Sequence, residues 1–137
     1  MSVTWRVDPM GLRQPFRDDV TLLLALSPYA WTVTYGLRTL AEQEALFKKY
    51  QAGGPRAAPP GKSPHNFGLA IDVALDGSPD PGLQPDWDTT HAGWIWLFDA
   101  IFAHPRLHSG KSFYDADHIE SVGWKAIAVS PAAPVAA

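Results

Sequence analysis

The chain of 137 residues contains no cysteine, which excludes thiolate zinc sites, iron–sulfur clusters and cysteine nucleophiles. Charged residues are also scarce, at 18%. The 11 basic and 14 acidic side chains leave a net charge of −3, without the basic excess of a duplex nucleic-acid binder. No block of like charge marks a solvating tail. The longest aliphatic run, Leu22 to Leu26, is far too short to span a bilayer. The first ten residues, MSVTWRVDPM, lack the basic and apolar regions of a secretory signal. The expectation is a protein made in the cytoplasm, with no nucleic-acid partner and no stable membrane association.

Hydrophobic residues make up 46%, close to a globular average, and a chain of this length can bury a real core without metal or disulfide staples. Eleven glycines and 13 prolines point to long ordered loops rather than a tight bundle. Phe16, Val20, Leu23 and Leu24 follow helical spacing after Pro15, and Pro28 closes that segment. Trp31 to Tyr35 alternates and reads as a strand. Thr39 and Glu42 form a capping box for a helix that runs to Gly53-Gly54. Phe67 to Leu75 reads as a strand between two Pro/Gly-rich loops. Thr90 is the expected cap of a helix from about His91 to Ala103, with Trp94, Leu97, Phe98 and Ile101 on one side. A short strand is expected over Ser112 to Ser121. The fold class is therefore α+β: a small single domain over residues 1–129, with a short, mainly antiparallel sheet packed against helices. Residues 130–137 are expected to form a flexible Pro/Ala tail.

Three features carry chemistry. Asp72 sits among Leu69, Ala70, Ile71, Val73, Ala74 and Leu75, where a carboxylate is costly unless paired or metal-bound. Either a hydrogen-bonded core aspartate or a metal ligand fits that pattern. His65, in the sequence SPHNFG, can fold back over Asp72, although a lone loop histidine is more often simply exposed. Asp115, Asp117 and Glu120 surround His118, as in a solvated edge strand or a metal site. Two histidines and one aspartate make a sound zinc set with a fourth position for water. His91, His104 and His108 read as structural or exposed.

Ser63-Pro-His65-Asn-Phe-Gly68-Leu-Ala70-Ile-Asp72 fits the pattern SxHxxGxAxD. Tyr35-Gly-Leu-Arg38-Thr39-Leu-Ala-Glu-Gln43 precedes it, and Asp115-Ala-Asp117-His118 follows in DxxH spacing. These three blocks, in this order, resemble the LAS or M15-type zinc metallopeptidases, the group of D-Ala-D-Ala carboxypeptidases and phage L-alanyl-D-glutamate endopeptidases. The resemblance implies one zinc ion per chain held by His65, Asp72 and His118. It implies Asp115 as general base and Arg38 as the cation that binds substrate and steadies developing negative charge. It places Ser63 and Gln43 at signature positions near the substrate. Asp117 and Ile119 stand where phage-type members often have proline and an aromatic residue, so Asp117 competes with Asp115 for the base role. In a regular strand Asp115 and His118 face opposite ways, so Asp115 needs a bend to reach the metal. Glu120 shares a face with His118 and is the expected carboxylate behind that imidazole.

The activity implied is hydrolysis of an amide bond in peptidoglycan stem peptides, most simply the L-alanyl-D-glutamate bond, by a monomeric phage or prophage endolysin acting on the cell wall after release. The alternatives are a D,D-carboxypeptidase or dipeptidase and, outside catalysis, a wall-binding or virion pseudoenzyme.

Overall fold

A computed structural model describes residues 3–76 and 87–129, so the expected tail and most of the loop before Trp87 lie outside the described residues. Helix α1, Phe16–Ala25, buries Phe16, Val20, Leu23 and Leu24, the stripe expected from their spacing. Strand β2, Trp31–Tyr35, lies inside the sheet and buries Trp31, Thr32 and Val33. Helix α2, Leu40–Gln51, opens on the expected capping box: Thr39 Oγ1 accepts from the Glu42 amide and the Glu42 carboxylate accepts from the Thr39 amide. Helix α3, Ala92–Phe102, presses Trp94 edge-on against Trp31 at 5.1 Å.

Five strands form one sheet in the order β1-β2-β3-β5-β4. Strand β3, Ala70–Leu75, is central and pairs antiparallel with β2 and with β5, His118–Ser121. Strand β4, Leu107–Ser109, closes one edge against β5, again antiparallel. Strand β1, Val3–Trp5, runs parallel to β2 at the other edge. The sheet is thus mainly antiparallel, as expected. Alternation divides β3 cleanly. Ile71, Val73 and Leu75 join the buried core with Leu97, Ile101 and Ile119, leaving Ala70, Asp72 and Ala74 on the other face. A register shift between Val33 and Tyr35 then sets Tyr35 opposite Asp72.

Several boundaries differ from the expectation. The strand expected from Phe67 starts only at Ala70, because Pro64–Phe67 winds into a 3-10 turn. Proline fits the first position of that turn, and Gly68, at φ 68°, reverses the chain. A β-carbon on Gly68 would collide with the Gly11 carbonyl. The strand expected over Ser112 to Ser121 is mostly turn: a 3-10 segment Gly110–Phe113, a left-handed Tyr114, and strand only from His118. His91, rather than Thr90, caps α3; its Nδ1 accepts from the Gly93 amide at 2.9 Å, while the Thr90 hydroxyl is engaged by Asp88 at 2.6 Å. Strands β1 and β4 and helix α4, Trp124–Val129, had no counterpart in the sequence reading. None of the described helices is long and apolar enough to cross a membrane.

One ion pair ties α1 to the segment before β4. Arg106 clasps the buried Asp19 carboxylate through Nε at 2.8 Å and Nη2 at 2.7 Å. The guanidinium's hydrogen bond, against a smaller cost of burial, lowers the Asp19 pKa from its ordinary value. The pair's contribution is therefore present in full above the unfolded value, about pH 4, and is lost as pH falls through the folded value. Arg106→Ala should lower stability at neutral pH, where it leaves the Asp19 carboxylate without its cation. In urea melts at stepped pH, that deficit should shrink as the medium is acidified below about pH 4.

Candidate metal centre

Three chain segments meet at the face of β3 that carries Asp72. Asp72 sits in the strand itself. Its register partner across the β3–β5 ladder is His118, so the sheet places the two side chains on one face as neighbours. His65 comes from the 3-10 turn before β3, where the Ser63 hydroxyl caps its amide at 3.3 Å. Both histidines are buried, at 3% and 5% exposure.

Asp72 Oδ1 is the atom around which they gather. It is buried, it has no hydrogen-bond partner, and it lies 3.4 Å from both His65 Nε2 and His118 Nδ1. That distance is long for a charge-assisted hydrogen bond, which falls near 2.7–2.9 Å. It matches the separation of about 3.3–3.4 Å between donor atoms that share a tetrahedral zinc with bonds of about 2.0–2.1 Å. His65, Asp72 and His118 thus form one site able to hold a single zinc ion.

The far side of each imidazole is fixed. His65 Nδ1 donates to the Gly36 carbonyl at 2.8 Å, leaving Nε2 as the free donor atom. His118 Nε2 lies 2.8 Å from Glu120 Oε1, which turns Nδ1 toward Asp72. Glu120 therefore stands where the sequence reading expected a carboxylate behind the ligand. Burial opposes charge on both ligands Asp72 and His118. The two imidazoles nonetheless hold the Asp72 carboxyl well below the usual carboxylate range. The carboxylates of Asp72 and Glu120 likewise lift His118 to about 9. A cation entering the site takes the place of that proton.

Asp115 reaches the cluster through the bend that its spacing required. Its amide donates to the Gly110 carbonyl at 2.9 Å, and its carbonyl accepts from the His118 amide at 3.1 Å. Its carboxylate comes within 3.9 Å of His118 Nδ1 while remaining 52% exposed. Asp117 also joins this corner, with carboxylate atoms of Asp72, Asp115 and Asp117 within 4.8 Å of one another. Burial, with Asp115 and Asp72 alongside, pushes Asp117 up to about 8.

Arg38 lies on the β2 side. Its guanidinium donates to Gln43 Oε1 at 3.0 Å and sits 5.9 Å over the Tyr35 ring. Gln43 is almost fully buried and also donates to the Ala58 carbonyl at 2.8 Å. The Arg38 amide donates to the His65 carbonyl at 2.9 Å, so the arginine is tied to a metal-binding residue through the backbone. Two contributors were missed by the sequence reading. Asn66 donates to the Arg38 carbonyl at 3.1 Å and accepts from the Gly61 amide, and its place inside SPHNFG was the available signal. The Gly36 carbonyl is a backbone group and has no side-chain signature. A cavity of about 520 Å³ between α3 and β4, lined by Phe98, Ile101, Phe102, Leu107 and Lys111, contains none of these groups.

His118→Ala should abolish stoichiometric zinc, measured by metal analysis after dialysis. Glu120→Ala should leave the fold intact and weaken zinc affinity about 10- to 100-fold, read by competition with a chromogenic chelator.

No protein-family model matches the sequence. Solved structures do. The L-Ala D-Glu endopeptidase ChiX of Serratia marcescens matches with a TM-score of 0.58 at 20% identity, over 82% of each chain. The LdcB LD-carboxypeptidase matches at 0.61 and 20% identity, over 85% of this chain and 63% of its own. The vancomycin-resistance D,D-dipeptidase VanXYg matches at 0.57 and 18% identity, over 81% of this chain but only half of its own. Shared topology, together with a His–Asp–His cluster spaced for one zinc ion, identifies the architecture of this chain as the LAS-type metallopeptidase fold.

Proposed function

We propose that the chain is a zinc-dependent hydrolase of peptidoglycan stem peptides and that residues 1–129 are its peptidase domain. The observation that carries this reading is the unpartnered Asp72 oxygen, equidistant from two imidazole nitrogens whose outer sides are already anchored. The fold relatives support the substrate class, since one is an L-Ala D-Glu endopeptidase and another a carboxypeptidase that recognises peptidoglycan.

Held by His65, Asp72 and His118, a zinc ion would supply a Lewis acid and make water a stronger acid at neutral pH. The chain's own residues do the rest. Asp115 is the base: its carboxylate is half-exposed, beside His118, and free to take a proton from water and return it to the leaving amine. Asp117, largely enclosed beside it, holds the position of neighbour rather than base. Arg38, presented by Gln43 and Tyr35, offers cationic donors to the oxygen that gains charge as the amide carbonyl is attacked. Ser63 acts through His65, by capping the turn that carries it.

Within the stem peptide, the L-alanyl-D-glutamate bond is the favoured target and a phage-type endolysin the favoured role. Both rest on the DxxH spacing of Asp115 and His118 and on the endopeptidase among the fold relatives. The decisive experiment is digestion of purified sacculi with and without a chelator, with new termini identified by mass spectrometry. A chelator-sensitive new amino terminus on D-glutamate is expected. Release of free D-alanine instead would assign a D,D-carboxypeptidase, and no new terminus would remove the catalytic reading. Asp115→Asn should retain zinc and lose hydrolysis. Arg38→Ala should retain zinc and fold while turnover drops about 100- to 1,000-fold, measured on the same sacculi.

A further inference from the structure

The turn that delivers Asp115 contains an unusual residue. Tyr114 ends the 3-10 segment Gly110–Phe113 with φ 61°, the only non-glycine with positive φ among the described residues. In that conformation a β-carbon crowds the following carbonyl, and glycine or asparagine ordinarily takes the position. The tyrosine recovers nothing by packing, because it is fully exposed. The turn does not need the ring. It is held by the Tyr114 and Asp115 amides on the carbonyls of Lys111 and Gly110, and by the His118 amide on Asp115. It is also held by the lack of space above Gly110, where a β-carbon would meet the Asp115 carbonyl and His118 Cβ. A large, strained, unpacked aromatic residue therefore stands one position before Asp115. Strain of this kind persists where the surrounding turn fixes it, and it clusters at functional sites.

Its surroundings indicate the ligand. Tyr35 and the Tyr114–Asp115 turn flank Asp72 from opposite sides, since Tyr35 ends β2, the turn leads into β5, and β3 lies between them. The strands β2 and β5 themselves run about 10 Å apart, two strand intervals. The Tyr35 ring is occupied by Arg38. Tyr114 makes no ring contact among those described. A phenol offers a flat apolar face with a polar edge. The stem peptide next to the glycan, alanine followed by glutamate, has no flat apolar group to match it. A pyranose does: its axial C–H bonds form a flat face bounded by hydroxyls. The bond between L-alanine and D-glutamate is one residue from the lactyl group of the sugar, so a cleaved peptide brings a pyranose within about 7–10 Å of the reacting carbonyl.

We infer that Tyr114 is a specificity residue that stacks on a sugar ring of the glycan strand and makes the chain prefer polymeric peptidoglycan to free stem peptide. This rests on the reading of the chain as a stem-peptide hydrolase. The test compares full-length wild type, Tyr114→Gly and Tyr114→Phe for thermal midpoint, co-sedimentation with sacculi, and kcat/KM on sacculi and on a soluble sugar-free stem peptide. Tyr114→Gly should melt no lower than wild type. Its ratio of kcat/KM on sacculi to that on peptide should fall about tenfold, through KM for sacculi, with a matching loss of co-sedimentation. Tyr114→Phe should keep the wild-type ratio. An unchanged ratio in Tyr114→Gly, or a lower melting point with equal losses on both substrates, overturns the inference and leaves the hydrolase reading standing. If the wild type cleaves neither substrate yet Tyr114→Gly alone loses co-sedimentation, the hydrolase reading falls and the sugar contact stands.

Discussion

A single carboxylate oxygen, buried and without a hydrogen bond, sets the terms for the rest of this molecule. Leaving a buried ionised oxygen unpaired costs far more than one surface interaction returns, so the surroundings of Asp72 must be built to compensate. They are. The β3–β5 register puts His118 beside it, the Pro64–Phe67 turn brings His65 over it, and small neighbours at Ala70 and Ala74 keep that face of the strand clear. Four carboxylates, from Asp72, Asp115, Asp117 and Glu120, crowd around two imidazoles. Their mutual repulsion is what a divalent cation relieves, which makes the site a better host for metal than for protons alone.

The arrangement also separates roles by depth. The two imidazoles of the cluster are buried, and their outer nitrogens are committed to Gly36 and Glu120. The groups proposed to meet substrate, Asp115, Arg38 and Tyr114, belong to turns at the ends of strands. Two adjacent strands and the short 3-10 turn anchored to Gly36 and Arg38 hold the ligand cluster, while the outer turns can adapt to a polymer.

Much of this was legible in the sequence because it was written in side chains with strong local rules. The capping box at Thr39 and Glu42, the stripe on α1 and the alternation through β2 each obey one dominant local constraint. The ligand trio was legible through the three motif blocks that carry the family resemblance, since the apolar surroundings of Asp72 alone left a core aspartate equally open, and the need for a bend at Asp115 followed from the two-residue period of strands. What escaped was set by tertiary context. Strands β1 and β4, at three residues each, are too short to show periodicity and exist only through their neighbours. The run before β3 looked extended because Phe67, Leu69 and Ile71 alternate, yet Pro64 and Gly68 coil it. His91 caps α3 with a ring nitrogen, an acceptor that competes with the more usual threonine hydroxyl beside it.

Four residues, Tyr35 to Arg38, link the two halves of the chemistry. The Gly36 carbonyl orients the His65 ring, and two positions later the Arg38 amide grips the His65 carbonyl. The same tetrapeptide thus governs the basicity of a metal-binding nitrogen and the reach of the guanidinium. Lengthening it by one residue would detune both together. For protein engineers this stretch is therefore a fixed joint, and diversity aimed at new substrates belongs elsewhere on the rim.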